Sequence, residues 1–157
     1  MVFLNAGCFF EVLEETEEFR MIANEMDLLR WIQENRWSTL DSLVNDTGTS
    51  IWHVSVLLRQ LYQENVVYAE QGHWRLAKEK DRHPPLAEVK DAMQECIQMK
   101  ILEDPLISVM RFAHCAVVSE STARRCFGVM KDAGLLCREG NRRNGQWRLR
   151  CGDGSWL

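Results

Sequence analysis

"SESTARRCFGVMKDAGLLCREGNRRNGQWRLR", residues 119–150, is the stretch on which the fold prediction depends. It contains eight Lys and Arg residues and two aromatic residues, although the chain of 157 residues has a formal net charge of -4. Ser119 is a predicted helix N-cap, and apolar residues follow it at helical spacing: Ala123, Cys126, Phe127 and Met130. Gly134 ends that helix, and residues 135–150 then have the pattern of strand, loop and strand. The stretch therefore predicts a helix followed by a basic hairpin.

A weaker copy of this stretch begins 69 residues earlier, at Ser50, which aligns with Ser119. "HWRL" at 73–76 aligns with "QWRL" at 146–149, after four additional residues in the second hairpin. The core positions and helix ends also align: Val54 with Ala123, Leu57-Leu58 with Cys126-Phe127, Leu61 with Met130, and Asn65 with Gly134. Agreement of caps, core positions and strand ends indicates an internal repeat.

Two further helices are predicted ahead of the helix in the first copy. Asn24 with Asp27 and Ser38 with Asp41 are the predicted N-terminal capping pairs. Gly48 then separates the second helix from the one that starts at Ser50.

The second copy is predicted to contain the same two helices. "LAEVKDAMQECIQMKILE", residues 86–103, is predicted to form a long helix that packs against one or both copies. Asp104 and Pro105 are the predicted N-cap and first-turn proline of the next helix. The order of helix, short helix, turn, helix and hairpin is thus predicted twice.

Both copies resemble the winged helix-turn-helix superfamily, over about residues 25–77 and 88–151. The predicted fold class is mainly α with small β-hairpin wings, as a tandem winged helix-turn-helix. The predicted divisions are an acidic N-terminal arm (1–24), a first module (25–77), a polar linker (78–88), and a long helix with the second module (89–157). The resemblance implies duplex DNA binding, as in most members, or protein interaction, as in others.

The second module carries the predicted DNA-binding residues. In a helix-turn-helix the second helix lies in the major groove, where Arg binds guanine and hydroxyl groups bind phosphate or base edges. The arginines of the wing would contact the backbone or the minor groove. The predicted set is Ser121, Thr122, Arg124 and Arg125 on the helix, with Arg138, Arg142, Arg143 and Arg148 in the wing. Glu120 opposes this interpretation because its carboxylate repels phosphate. The alternative is a solvated basic face that offsets the acidic half of the chain.

The corresponding face of the first module is largely apolar. Its wing, "EQGH", has no basic residue at the tip. Exposed apolar side chains make poor phosphate contacts and good protein contacts. We therefore expect a docking or homodimer interface formed by Ile51, Trp52, His53 and Val56. The alternative is that Trp52 packs onto its own module.

Charge is segregated along the chain. Residues 1–25 contain six acidic residues and one basic residue, whereas residues 121–157 contain eight basic and three acidic residues. The acidic segment is interpreted as a solvated helix face, as an arm, or as a mimic of nucleic-acid charge that covers the basic module when DNA is absent.

Composition excludes several classes of protein. A hydrophobic share of 46% and a charged share of 27% are typical of a globular domain, and no apolar run predicts a membrane span or a signal peptide. We therefore expect a cytoplasmic protein without a membrane partner. The six cysteines form no Cys-x-x-Cys pair, and we expect reduced core thiols. With no metal-ligand spacing, phosphate loop or catalytic constellation, no cofactor, metal or enzymatic activity is expected.

Two functions fit these observations. The first is a small DNA-binding transcriptional regulator, with the second module on duplex DNA and the first used for dimerisation or partner docking. The alternative is a tandem winged-helix protein–protein interaction module, such as an adaptor, inhibitor or antirepressor, without direct DNA binding.

Overall fold

The structure, a computed structural model, describes residues 26–141 and 143–157. The N-terminal arm, with its proposed cap Asn24 and with Cys8, therefore lies outside the described residues, as does Arg142. The described chain is mainly helical with two small antiparallel hairpins, which confirms that part of the predicted fold class. Its elements are α1 (residues 26–34), α2 (Leu40–Thr47), α3 (Ile51–Gln63), β1 (Val67–Glu70), β2 (His73–Leu76), α4 (Ala92–Glu103), α5 (Val109–Ala116), α6 (Glu120–Asp132), β3 (Leu136–Glu139) and β4 (Gln146–Leu149).

These elements repeat with the offset that the sequence predicts. We refer to residues 26–76 as the first half and to residues 92–149 as the second half. Helices α2 and α5 have eight residues each, α3 and α6 have thirteen each, and each pair starts 69 residues apart. At the starts of α3 and α6, the N-cap hydroxyls of Ser50 and Ser119 both accept a backbone N–H from three residues further on. The repeat also includes α2 and α5, which the sequence comparison had not aligned.

In each half, a buried tryptophan on the second hairpin strand is hydrogen-bonded to the segment that precedes the second helix. Trp74 on β2 donates its backbone N–H to the carbonyl oxygen of Ser38 at 2.6 Å. Trp147 on β4 donates in the same way to Pro105 at 2.8 Å. Ser38 forms a β-bridge with Trp74 and so adds a third segment to the first hairpin, whereas Pro105 lies in a turn beside the second hairpin.

Three predicted helix starts are wrong. Helix α2 is capped by Thr39 with Ser42, because Ser38 is buried and engaged with Trp74. Helix α5 starts after the N-cap Ser108, because the carbonyl of Pro105 is held by β4 and residues 104–107 form a turn.

Helix α4 also starts later than predicted, at Ala92 after the N-cap Asp91. The preceding residues are extended because Leu86 is buried and forms a β-bridge with Cys151. Ala87 donates its N–H to the carbonyl of Arg150 at 3.0 Å, so the predicted linker runs along the end of the second hairpin.

The same linker is bound to the first half. The ring of His83 stacks on Tyr62 with centroids 3.7 Å apart, and its Nε2 lies 2.8 Å from the Tyr62 carbonyl oxygen. Gln63 accepts the N–H of Leu86 at 2.9 Å. Residues of the linker thus contact both halves.

Helix α3 packs along α4, and this contact joins the two halves. Arg59 donates from Nε to Oε1 of Gln98 at 2.8 Å, and Ser55 is fully buried. Arg59 also donates to the carbonyl of Ala87 at 3.3 Å. The face of α3 that the sequence predicts as a free surface is therefore occupied in part by the second half.

A buried ion pair on α4 lies against α2 and β2 of the first half. Glu103 on α4 accepts hydrogen bonds at Oε2 from the backbone N–H of Leu40 at 2.7 Å and from the Trp74 indole at 3.0 Å. Lys100 lies 3.1 Å from Asp41 and 3.5 Å from Glu103. Burial raises the pKa of the Glu103 carboxyl, while Lys100 and the two N–H donors act in the opposite direction. Burial lowers the pKa of Lys100, but the adjacent carboxylates reverse this, and the net shift is upward.

No helix in the described part of the chain combines the length and apolar character needed to cross a membrane. Five cysteines lie in this part and all five are free, with Cys96 and Cys151 buried.

Candidate nucleic-acid interface

The N-terminal end of α6 presents a polar, basic surface. Ser119 accepts the Thr122 N–H at 3.1 Å, and its hydroxyl also lies 2.7 Å from the Thr122 hydroxyl. The opposite face of the helix is buried through Ala123, Phe127 and Met130. This packing turns Ser121, Arg124 and Arg125 outward, where all three are exposed.

The two arginines of α6 differ in their partners. Arg124 donates from Nε to Oε1 of Glu120 at 3.0 Å, in an exposed pair one helical turn apart. Such a pair contributes little to stability, but it places a carboxylate beside the guanidinium. Arg125 forms no ion pair among the described residues. Arg125 is thus the freer cation on this surface.

Two arginines of the second hairpin are held by neighbouring side chains. The guanidinium of Arg138 lies over the Trp147 ring, 5.3 Å from its centroid. Arg148 donates to Glu139 across the hairpin at 2.7 Å. Both guanidinium groups contribute positive charge to this hairpin, but contacts within the hairpin restrain the two side chains.

The loop between β3 and β4 is built around Asn141. Its side-chain oxygen accepts the backbone N–H groups of Arg143 at 3.0 Å and Asn144 at 2.7 Å. Gly145 follows, where a Cβ atom would lie 2.7 Å from the carbonyl oxygen of Asn141. This close approach requires glycine, and the resulting loop leaves Arg143 exposed.

The structure therefore places the predicted DNA-binding residues on two elements of the second half. Ser121, Thr122, Arg124 and Arg125 lie in the first two turns of α6, and Arg138, Arg143 and Arg148 lie on the hairpin or its loop.

The prediction for the first half requires a correction at Ile51. Its side chain is only 8% exposed and belongs to the core, so the expectation that it is exposed is wrong. Trp52, His53 and Val56 are half-buried, and Trp52 packs against the core as the alternative interpretation expects. The physical reason is that α3 packs both against α2 of its own half and against α4 of the second half.

Exposed apolar residues near α5 were missed from the sequence. Leu106 is 64% exposed and Met110 is 63% exposed, in the turn before α5 and in its first helical turn. A signal was present, because Leu106 occupies the position equivalent to Trp37, another exposed apolar residue.

Among the described residues, no group of three or more His, Cys, Asp or Glu side chains is placed to hold a metal ion.

Comparison with known proteins yields a structural similarity but no sequence relative. No family model and no curated protein matches the sequence. The crystal structure of the DIP2311 protein from Corynebacterium diphtheriae is similar at 15% identity and a TM-score of 0.37. The match covers 80% of this chain and 26% of that chain, so the present sequence spans about a quarter of the length of that protein.

Proposed function

We propose that the protein is a small transcriptional regulator that binds duplex DNA through its second half, and that both halves are winged helix-turn-helix modules. Three features support the fold assignment: three helices precede each hairpin, a backbone hydrogen bond ties the second strand of each hairpin to the segment before the second helix, and the two halves share the lengths and caps of their last two helices. A helix of thirteen residues followed by a hairpin fits the recognition helix and wing of that fold.

The observation that carries the proposal is the difference between α3 and α6. In α3 the outward positions Ser55 and Arg59 are engaged with α4. In α6 the equivalent surface is exposed, with Arg124 and Arg125 next to the hydroxyl of Ser121. Only α6 of these two helices is thus free to enter a major groove.

In the proposed complex the start of α6 lies in the major groove. Arg125 contacts a guanine edge, and the hydroxyl of Ser121 binds phosphate. The loop at Arg142 and Arg143 follows the backbone, with Arg138 and Arg148 adding positive potential behind it. The first half serves dimerisation or partner docking through Trp52, His53 and Val56, which retain partial exposure. A dimer would place two basic halves on one two-fold site.

Binding of labelled duplexes of random and selected sequence at two salt concentrations tests this proposal. Arg142→Ala with Arg143→Ala should weaken binding to all duplexes about equally and reduce the salt slope by roughly 0.9 for each phosphate that is no longer neutralised. Arg125→Ala should cost about 1–3 kcal/mol on a selected site and much less on random DNA. Arg82→Ala, at an exposed position of the linker next to His83 and the first half, is the charge-matched control.

The second candidate is a protein-interaction module without direct DNA binding. The exposed apolar residues Leu106 and Met110 favour it, because apolar side chains left in solvent before and at the start of α5 suit a protein contact. The carboxylates of Glu120 and Glu139 beside two of the arginines favour it too. Absence of duplex binding by the unaltered protein even at low salt would contradict the DNA proposal and leave this candidate.

A further inference from the structure

An open groove lies between the α1–α2 connection and the first hairpin, on a surface that no sequence motif indicates. Its volume is about 510 Å³. The α1–α2 connection contributes Arg36 and Trp37, and the hairpin side contributes Gln71, His73 and Lys78. Both walls belong to the first half or follow it directly, so the groove is separate from the α6 surface.

The charge of the groove is opposite to that of its surroundings. Residues 26–76 contain six acidic and four basic residues, yet no carboxylate is found among the described residues that line the groove. Arg75 lines it but is already paired with Glu70 and Asp81, at 2.6 Å in each case. Arg36 and Lys78 are exposed and have no ion pair among the described residues. These two cations therefore supply the positive potential of the groove.

Trp37 provides an exposed aromatic surface between these cations. The indole is 67% exposed and is not among the residues that pack against the hydrophobic core. It contacts the ring of His73, with centroids 4.6 Å apart and planes inclined at 59°. His73 supports the indole from the hairpin, and its Nδ1 is buried without a hydrogen-bond partner in the described structure. A large aromatic side chain held at the surface without a role in the core is suited to stacking on a planar ligand.

An aromatic surface, two free cations and an amide at Gln71 match the parts of one ligand class. A nucleobase stacks on an aromatic side chain, its edge bonds to amides, and its phosphate binds Arg and Lys. We propose that this groove binds a nucleotide, with the base stacked on Trp37 and the phosphate held by Arg36 and Lys78. The ligand is either a free mononucleotide or one unit of an unpaired DNA strand, since both present the same base and phosphate. The proposal is independent of duplex binding by α6.

Binding of a labelled oligothymidylate of ten nucleotides to the full chain, measured by fluorescence anisotropy, tests the groove. Thymidine monophosphate serves as the competitor. Trp37→Ala should weaken binding by roughly 5- to 150-fold, which corresponds to the loss of a base–aromatic stack of about 1–3 kcal/mol. Trp37→Phe should retain part of the affinity, since a smaller ring still stacks. Both variants should fold, as the side chain lies outside the core.

Removing the two cations tests the phosphate contact separately. Arg36→Ala with Lys78→Ala should lower the affinity and reduce the salt slope by roughly 0.7 for each phosphate of a single strand that is no longer neutralised. Arg82→Ala with Lys90→Ala removes two exposed cations outside the groove and should leave binding unchanged.

The competitor distinguishes the two sources of the nucleotide. Displacement of the oligomer by thymidine monophosphate at comparable nucleotide concentration identifies a mononucleotide site, and displacement only by longer strands identifies a single-strand site. The proposal is overturned if neither ligand binds saturably at low salt, or if Trp37→Ala binds as the unaltered protein does. Arg125→Ala should leave the binding that depends on Trp37 intact, so failure here is distinct from failure of duplex binding.

Discussion

At the scale of single residues, Glu103 connects the second half to the first. One carboxylate oxygen binds both the N-terminus of α2 and the indole of Trp74, and Lys100 lies beside the other oxygen. A carboxylate at a helix N-terminus is favoured by the helix dipole and satisfies a backbone N–H that has no partner within the helix. The residue is buried, so water cannot replace these bonds if the side chain is removed.

Replacing Glu103 with Ala should therefore destabilise the protein by about 3–5 kcal/mol, because Lys100 and two N–H donors remain buried with fewer partners. Glu34→Ala is the matched control, since Glu34 ends α1 as Glu103 ends α4 but is exposed. We expect a change within about 0.5 kcal/mol for the control. Urea unfolding measures both, and equal stability of the two variants would contradict the role given to Glu103.

The buried thiol of Cys96 makes stability depend on pH. Burial raises its pKa from the usual 9.0 to about 11, an effect that the nearby charge of Lys100 only partly offsets. The pKa of this thiol is therefore higher in the folded protein than in the unfolded chain. Its contribution to the free energy of unfolding is complete below pH 9 and is lost as the pH rises through about 11. Burial also raises the pKa of the Tyr62 hydroxyl. Ionisation of Tyr62 therefore also lowers the free energy of unfolding, at a higher pH than for Cys96.

We expect unfolding free energies under reducing conditions to fall by about 2–3 kcal/mol over this alkaline range because of Cys96. Cys96→Ala should show a shallower decline between pH 9 and 11, even if its stability at neutral pH is lower. The same decline in both proteins would show that the thiol is not responsible.

At the scale of elements, the turn between α5 and α6 is strained. Val117 ends α5 with φ of 55° and ψ of 47°, in the left-handed region, and is 89% exposed. The equivalent residue after α2 is Gly48, with φ of 66°. A β-branched residue is unfavourable in this conformation, whereas glycine adopts it without a steric penalty.

Val117→Gly should consequently stabilise the protein by about 1 kcal/mol, because it relieves the penalty of the left-handed conformation. Gly48→Ala is the reciprocal change and should destabilise it by a similar amount. Thermal unfolding of the two variants against the unaltered protein measures both shifts. A loss of stability in Val117→Gly would mean that the side chain makes a contact that outweighs the strain.

The elements differ in how well the sequence predicted them. Helices α3 and α6 and both hairpins were predicted because their caps and turn residues, such as Ser50 and Ser119, act locally. The starts of α2, α4 and α5 were wrong because Ser38, Ala87 and Pro105 form backbone hydrogen bonds with residues distant in the sequence. The hydrophobic periodicity of a sequence contains no information on such long-range hydrogen bonds.

The candidate site, like the helices and strands, was predicted only in part from the sequence. The exposed positions of α6 follow from its buried face, so Arg124 and Arg125 could be placed from the sequence. The burial of Ile51 and the packing of α3 on α4 could not be predicted from the sequence, because both depend on tertiary contacts. The groove at Trp37 was missed because its two walls are distant in sequence.

At the scale of the whole molecule, the two halves form one packing unit. The α3–α4 contact, the Glu103 bonds and the linker residues Leu86 and His83 all join them. The hydrophobic core is continuous across the contact, from Leu58 in the first half to Ile97 in the second. Halves that share a core are expected to unfold together.

Chemical unfolding followed by tryptophan fluorescence and by far-ultraviolet circular dichroism should therefore give coincident single transitions. Glu103→Ala should shift the midpoint of both signals equally. Hydrogen exchange of β1 and β3 should also lose protection together in that variant. Two separated transitions would contradict a single unit and favour two independent domains.

The α3–α4 contact also determines whether the repeat can continue. Helix α4 is the counterpart of α1, and α3 is the counterpart of α6, so the contact joins two different faces of a repeated unit. Such a head-to-tail contact is not two-fold symmetric, so repetition would add further copies in a ring or an open stack. Arg124 of α6 occupies the position equivalent to the buried Ser55 of α3. If another copy of the repeat packed on α6, the charged guanidinium of Arg124 would lose its hydration, which is unfavourable. Arg124 therefore acts like the polar face of a capping repeat in a solenoid, keeping α6 from receiving another copy and leaving it open to solvent.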